Sequence, residues 1–146
     1  MSDASDAIRN LLGRYCELMD AADWAAVGEL FAEAELVGPD GSVLASGSSA
    51  VAAMYEHGTR LYDGSPRTRH VTANSIVEVD GDAATARSAY VVFQAVDGFA
   101  LQPIITGRYR DAFSRIDGTW RFARRQFFAD HVGDLSHHLT YEVPSA

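Results

Sequence analysis

Residues 67–129, RTRHVTANSIVEVDGDAATARSAYVVFQAVDGFALQPIITGRYRDAFSRIDGTWRFARRQFFA, decide the fold of this chain. Four runs rich in Val, Ile, Thr, Tyr and Phe, over 67–79, 83–96, 101–116 and 119–129, have the composition of long strands. They are joined by Asp80-Gly81, Asp97-Gly98 and Asp117-Gly118. Asp-Gly links of this kind close hairpins, because both positions accept the positive φ that a tight two-residue turn demands, and they leave no room for a crossover helix. The second half therefore reads as an antiparallel meander.

Working back toward the N-terminus, the hydrophobic period changes. Ile8, Leu11, Leu12, Tyr15, Leu18 and Met19 recur at steps of three and four, the stripe of an amphipathic helix ending near Asp20. Trp24, Val27, Leu30 and Phe31 repeat the pattern in a shorter helix, with Asp23 placed to cap its free N–H groups. Pro39-Asp40-Gly41 signals a turn between two short strands, 35–37 and 42–45. Gly47-Ser48-Ser49 introduces a third helix over about 49–61, with Val51, Met54, Tyr55 and Leu61 as its apolar side. Helices segregated from strands argue an α+β domain, its helices packed on one face of a bent sheet. Only the tail from about Gly133 looks loosely specified.

Composition bounds the function. The 146 residues, 47% hydrophobic and 22% charged, suit a single domain spanning 1–146 with a core large enough to fold unaided. A net charge of −8 repels nucleic acid and anionic membrane surfaces, and Arg121, Arg124 and Arg125 are too few to track a phosphate backbone. The longest unbroken apolar run is the six residues 50–55, too short to span a bilayer. The acidic start, Met1 to Asp6, lacks the regions of a signal peptide, and the lone Cys16 fits a reducing compartment, so the expected location is the cytoplasm. Cys16 itself reads as a small buried helix residue.

Two residues stand out chemically. Asp20 lies at the C-terminal end of the first helix, where its charge opposes the helix dipole by a few tenths to about 1 kcal/mol. Asp23 has a capping explanation and Asp20 has none, which leaves function or a solvated turn. His70 opens the first long strand. On a regular strand Thr72, Asn74 and Ile76 share its face, so His70 and Asn74 would both look into any cavity under the sheet. If folding brings Asp20 to His70, the carboxylate holds the imidazole in one tautomer and stabilises its protonated form. Tyr15, about 140° round the helix from Asp20, is directed at the core or cavity, where its phenol can support developing negative charge. Tyr90, Phe93 and Tyr109 are candidate cavity walls. One of Arg124 and Arg125 faces inward; the alternation does not decide which, and Arg125 is preferred as a counter-charge. His131, His137 and His138 offer no metal-ligand spacing, and no phosphate-cradling loop or nucleophile elbow is present, so neither metal nor organic cofactor is expected.

The order of elements, together with Tyr15, Asp20, Asp23-Trp24, Leu30-Phe31-Ala32, Arg69-His70, Gly107-Arg108-Tyr109 and Gly118-Thr119-Trp120-Arg121-Phe122, resembles the SnoaL-like branch of the nuclear transport factor 2-like superfamily over roughly residues 6–138. The resemblance implies a cone-shaped fold, a curved sheet closed by helices around a cavity. It also implies an Asp–His dyad at the positions of Asp20 and His70, as in the dehydratases and dehydrochlorinases of that superfamily. The bile-acid dehydratase type carries a tyrosine five positions ahead of its aspartate, the spacing of Tyr15 here. The expectation is a cofactor-independent lyase or isomerase, dehydration first, acting on a small apolar carbonyl or hydroxylated substrate, in a homodimer paired through the sheet face. Two other roles in the superfamily are a non-catalytic binding or assembly domain and the small subunit of a ring-hydroxylating oxygenase. A hydrogen-bonded Asp20–His70 pair facing open volume favours the enzyme.

Overall fold

The structure, a computed structural model, describes residues 3–144. Its elements run α1 (Ala4–Asp20), α2 (Trp24–Leu30), β1 (Glu35–Val37), β2 (Val43–Ser46), α3 (Ser48–Gly58), β3 (Thr68–Asp80), β4 (Ala83–Val96), β5 (Phe99–Ile116) and β6 (Thr119–Val132). Asp3 starts α1 by accepting from the Asp6 N–H at 2.8 Å, and Asp23 starts α2 by accepting from Ala26 N–H at 3.1 Å. Ala22, at φ +54°, makes the corner between the two helices.

The strands form one six-stranded sheet in the order β2-β1-β6-β5-β4-β3. β3 to β6 are the expected antiparallel meander; two turns fall at Asp97-Gly98 and Asp117-Gly118 as expected, and the first falls one residue later than expected, at Gly81-Asp82, because Asp80 still pairs with Ala83. The sheet as a whole is mixed, which corrects the wholly antiparallel expectation: β1 runs parallel to β6, with Leu36 opposite Arg125. Most of the chain separates these two strands, so no hairpin dictates their direction. α1 lies across β3 and β6, and α2 packs on α3. Beneath them Ile8, Leu12, Tyr15, Met19, Phe31, Leu36, Phe113 and Phe122 form the main core, each at most 3% exposed. Burying side chains of this size contributes about 1.5–3 kcal/mol apiece.

Irregularities in the ladders reset which residues point inward. Pairing of β3 with β4 slips between Ala73 and Ile76, and Asn74 sits there at φ +52°, a left-handed conformation that asparagine tolerates better than most residues. The extra residue reverses the alternation. His70 and Thr72 point to the helices before the bulge, and Ser75 and Val77 do so after it: Ser75 Oγ meets Ser88 Oγ at 2.9 Å, and Val77 packs on the core. Asn74 and Ile76 are left exposed.

Two further departures concern the ends of elements. α3 stops at Gly58 instead of continuing to residue 61, because Thr59 turns extended and bridges to Leu139. A Cβ on Gly58 would come within 2.9 Å of the Tyr141 ring, so the C-terminal segment needs that glycine. β6 runs on to Val132, and the tail beyond it is packed: Leu135 is 9% exposed and joins Val92 and Ile104 in a second small core.

Candidate active site

Asp20, the last residue of α1, reaches across to the first residues of β3. Its Oδ1 accepts from the Thr68 hydroxyl at 2.9 Å and from His70 Nδ1 at 2.6 Å, and its Oδ2 accepts from the His70 backbone N–H at 2.9 Å. These donors answer the question left by the helix dipole: the carboxylate at this helix end is held by the strand it faces. Arg69 Nε lies 3.9 Å from Oδ2, but its side chain is 78% exposed and its contribution is small. A carboxylate only accepts, so His70 Nδ1 carries a proton, and in the neutral ring the lone pair is then on Nε2. His70 is 8% exposed and borders a cavity of about 660 Å³.

The cavity lies between the helices and the sheet. Tyr15, Met19, Met54 and Tyr55 wall it from the helical side, and Tyr90, Val92, Ile105, Tyr109 and Phe127 from the sheet. Its charged lining residues are Asp40, Arg108, Asp130 and Glu142, of which Arg108 and Asp130 satisfy each other at 2.9–3.2 Å. A volume in this range suits a small ring system or short chain. The Tyr15 hydroxyl is 2.9 Å from that of Tyr55, and the Tyr15 ring stands edge-on to His70 with centroids 6.3 Å apart. Burial raises the Tyr15 phenol above its ordinary value, and the Tyr55 and Tyr109 phenols well above it. All three are neutral hydrogen-bond donors at pH 7.

Of the other candidates, Tyr90 and Tyr109 line the cavity, their rings stacked at 4.3 Å. Three assignments need correction. Asn74 borders a shallow groove with Ile76, Arg87 and Arg110, because the β3 bulge turns it away. Phe93 is half-buried opposite Arg69 and Pro103; it stands three residues from Tyr90, an odd step that puts it on the other face, and Val92 takes the cavity position. Arg125 does face inward, with 0% exposure, but it lies beneath the cavity wall and not in it. Its Nε and Nη2 donate to Asp111 at 2.8 and 3.0 Å, and its guanidinium sits 3.7 Å from the Tyr109 ring centre and 4.4 Å from that of Tyr15. Burial alone would weaken the guanidinium's charge; Asp111 more than offsets this and holds its pKa above the ordinary value. Arg125 is thus the floor on which the two tyrosines rest.

Two cavity residues escaped the sequence reading as site residues. Tyr55 was visible only as part of the apolar side of α3. His138 lies in the packed tail, 6% exposed, its ring centroid 6.1 Å from that of His70. The Leu135–Leu139 spacing was the available hint that this tail packs. Among the described residues no group of three or more His, Cys, Asp or Glu is gathered as metal ligands, and no helix is long and apolar enough to cross a membrane.

A family model described as SnoaL-like domain matches residues 1–126. The chain is similar to an NTF2-like protein with a cystatin-like fold from Novosphingobium aromaticivorans, at 29% identity and TM-score 0.70, over 84% of this chain and 79% of that one. It is similar to a single-site variant of Rv3472, a protein of unknown function from Mycobacterium tuberculosis, at 30% identity and TM-score 0.71, over 86% and 71% of the two chains. A scytalone dehydratase-like protein from Novosphingobium aromaticivorans shares the fold at 22% identity and TM-score 0.73, over 97% and 90%. No curated protein matches the chain.

Proposed function

The chain belongs to the SnoaL-like domain family, and from that premise we propose that it is a cofactor-independent lyase or isomerase that removes a proton next to a carbonyl, with dehydration of a small, largely apolar β-hydroxy carbonyl compound as the reaction. The observation that carries this reading is the 2.6 Å contact between His70 Nδ1 and Asp20 Oδ1 in a side chain that borders open volume. A histidine held only for structure has no need of a hollow beside its second nitrogen.

In the proposed reaction His70 Nε2 takes the proton from the carbon beside the carbonyl. The C–H electron pair moves into an enolate, and Tyr15, oriented by Tyr55, donates its hydroxyl hydrogen bond to the enolate oxygen. Asp20 stabilises the imidazolium that results. Collapse of the enolate breaks the bond to the β-hydroxyl, which takes the proton from His70 and leaves as water, so the base is regenerated. Returning the same proton to a different carbon would give isomerisation. Acid/base assistance of this kind is worth about 10²- to 10⁴-fold in rate. The aromatic and aliphatic walls favour a largely apolar substrate. Pairing of two copies through the open sheet face belongs to the same reading, supported by the outward Val71 and Leu101, 37% and 72% exposed.

The test uses 3-hydroxy-1-tetralone, whose loss of water ends in fluorescent 1-naphthol. Wild-type protein is expected to accelerate this elimination and a folded His70→Ala variant to lose about 10²-fold or more of the rate. Full turnover by that variant removes His70 from the mechanism.

A further inference from the structure

We propose that His138 is a further neutral hydrogen-bond donor of the site beside the tyrosines, presenting its Nε2–H to an oxygen of the substrate next to His70. The inference rests on the reading above only in taking His70 as the base that shares the substrate.

His138 Nδ1 is fully enclosed and, among the described residues, has no hydrogen-bond partner. An orphaned buried N–H is rarer than a buried acceptor with an unused lone pair, so the ring proton belongs on the other nitrogen. That nitrogen is not enclosed, and the side chain borders the cavity. His70 presents the opposite arrangement, with Nδ1–H tied to Asp20 and the Nε2 lone pair free. The two rings, 6.1 Å apart and inclined at 68°, thus offer one acceptor and one donor to the same space.

Charge is settled by the surroundings. The titratable groups acting on His138 are His70 and Asp20; burial and then His70 disfavour its protonation, Asp20 opposes them more weakly, and the pKa is pushed down to about 4. At neutral pH the ring gives a hydrogen bond and keeps its proton, so His70 remains the only proton carrier of the pair.

The segment that delivers His138 is anchored on both sides of it. The Arg60 N–H donates to the His138 carbonyl at 2.8 Å, and the Tyr62 hydroxyl and the Gln94 side-chain amide donate to the His137 carbonyl at 2.6 and 3.0 Å. Gln94 is 1% exposed and gives its other bond to the Pro66 carbonyl at 3.0 Å. Leu135 is buried before the histidine, and Leu139 bridges to Thr59 after it. A buried amide committed to two carbonyls is an unusual anchor for a tail that only ends the chain. It makes sense if the ring next to it must be held in place.

The test has a part that needs no ligand. Long-range ¹H–¹⁵N spectra at pH 7 are expected to find His138 neutral with its proton on Nε2 and His70 with its proton on Nδ1. The second part measures the affinities of 1-tetralone and of tetralin, the same rings without the oxygen. Wild-type protein is expected to prefer the ketone, His138→Phe to lose roughly three- to tenfold of that preference, and His138→Gln, which keeps an N–H, to regain most of it. Turnover of 3-hydroxy-1-tetralone by His70→Ala reports on the base reading, and the His138 tautomer and the ketone preference of His138→Phe report on this one, so the two failures are distinguishable. A proton on Nδ1, a charged His138 ring at pH 7, or an unchanged ketone preference in His138→Phe overturns the proposal.

Discussion

Replacing Arg125 by Met removes one half of an ion pair with no access to water on either side. Asp111 then has two ways to exist. It can stay charged without a partner, at about 3–5 kcal/mol as measured for broken buried pairs. It can instead take a proton, and with an ordinary carboxyl pKa of 3.8 this costs about 4 kcal/mol at pH 7 and about 2 kcal/mol at pH 5. The cheaper route bounds the electrostatic loss near 4 kcal/mol at pH 7, a large share of the 5–15 kcal/mol of a domain this size. The sign follows from the raised folded-state pKa of the lone carboxyl. Its neutral form is favoured only in the folded protein, so stability is lost as pH rises above 3.8 and regained as it falls. Urea unfolding of wild-type and Arg125→Met protein at both pH values is therefore expected to show a deficit that shrinks by about 1–3 kcal/mol from pH 7 to pH 5. A deficit below about 1 kcal/mol at pH 7, or one that does not change with pH, refutes the buried pair as described.

Gly107→Ala should cost about 1–3 kcal/mol and lower the melting temperature, because a Cβ there runs into the Phe128 carbonyl oxygen and the Tyr90 ring; a thermal melt checks it. The His138 ring, with a folded pKa of about 4 against an ordinary 6.5, is charged first in the unfolded chain as pH falls. Stability is therefore lost between pH 6.5 and 4, by about 2 kcal/mol at pH 5 relative to pH 8. Denaturant titrations of wild type and His138→Gln should differ by that amount in their acid sensitivity.

How far the sequence reveals this molecule depends on the range over which each feature is decided. The meander is legible because each hairpin carries a local Asp-Gly signal at its turn, exact at Asp97-Gly98 and Asp117-Gly118 and one residue early at Asp80-Gly81, and α1 is legible because its stripe is internal to the helix. The meeting of Asp20 with His70 was foreseen from the missing cap role of Asp20 together with the resemblance to the superfamily, and the geometry now supplies the bonds. Side-chain direction failed where a ladder slips. No local signal in β3 says that Asn74 will absorb an extra residue, and naming both Tyr90 and Phe93 as cavity walls runs against the period of a strand. The inward choice between Arg124 and Arg125 depends on the register that sets Asp111 opposite Arg125, a pairing across two strands. His138 was hidden for a similar reason. Its place depends on Gln94, Tyr62 and Arg60, which lie far earlier in the chain.

Proton removal beside a carbonyl can be observed without a leaving group, by following deuterium entry at C2 of 1-tetralone in D₂O by NMR. Catalysed exchange in wild-type protein, reduced about 10²-fold or more in folded His70→Gln and Asp20→Asn variants, is the predicted result. Exchange no faster than in buffer, or equal in all three proteins, would contradict the assignment of Asp20 and His70 as the working base.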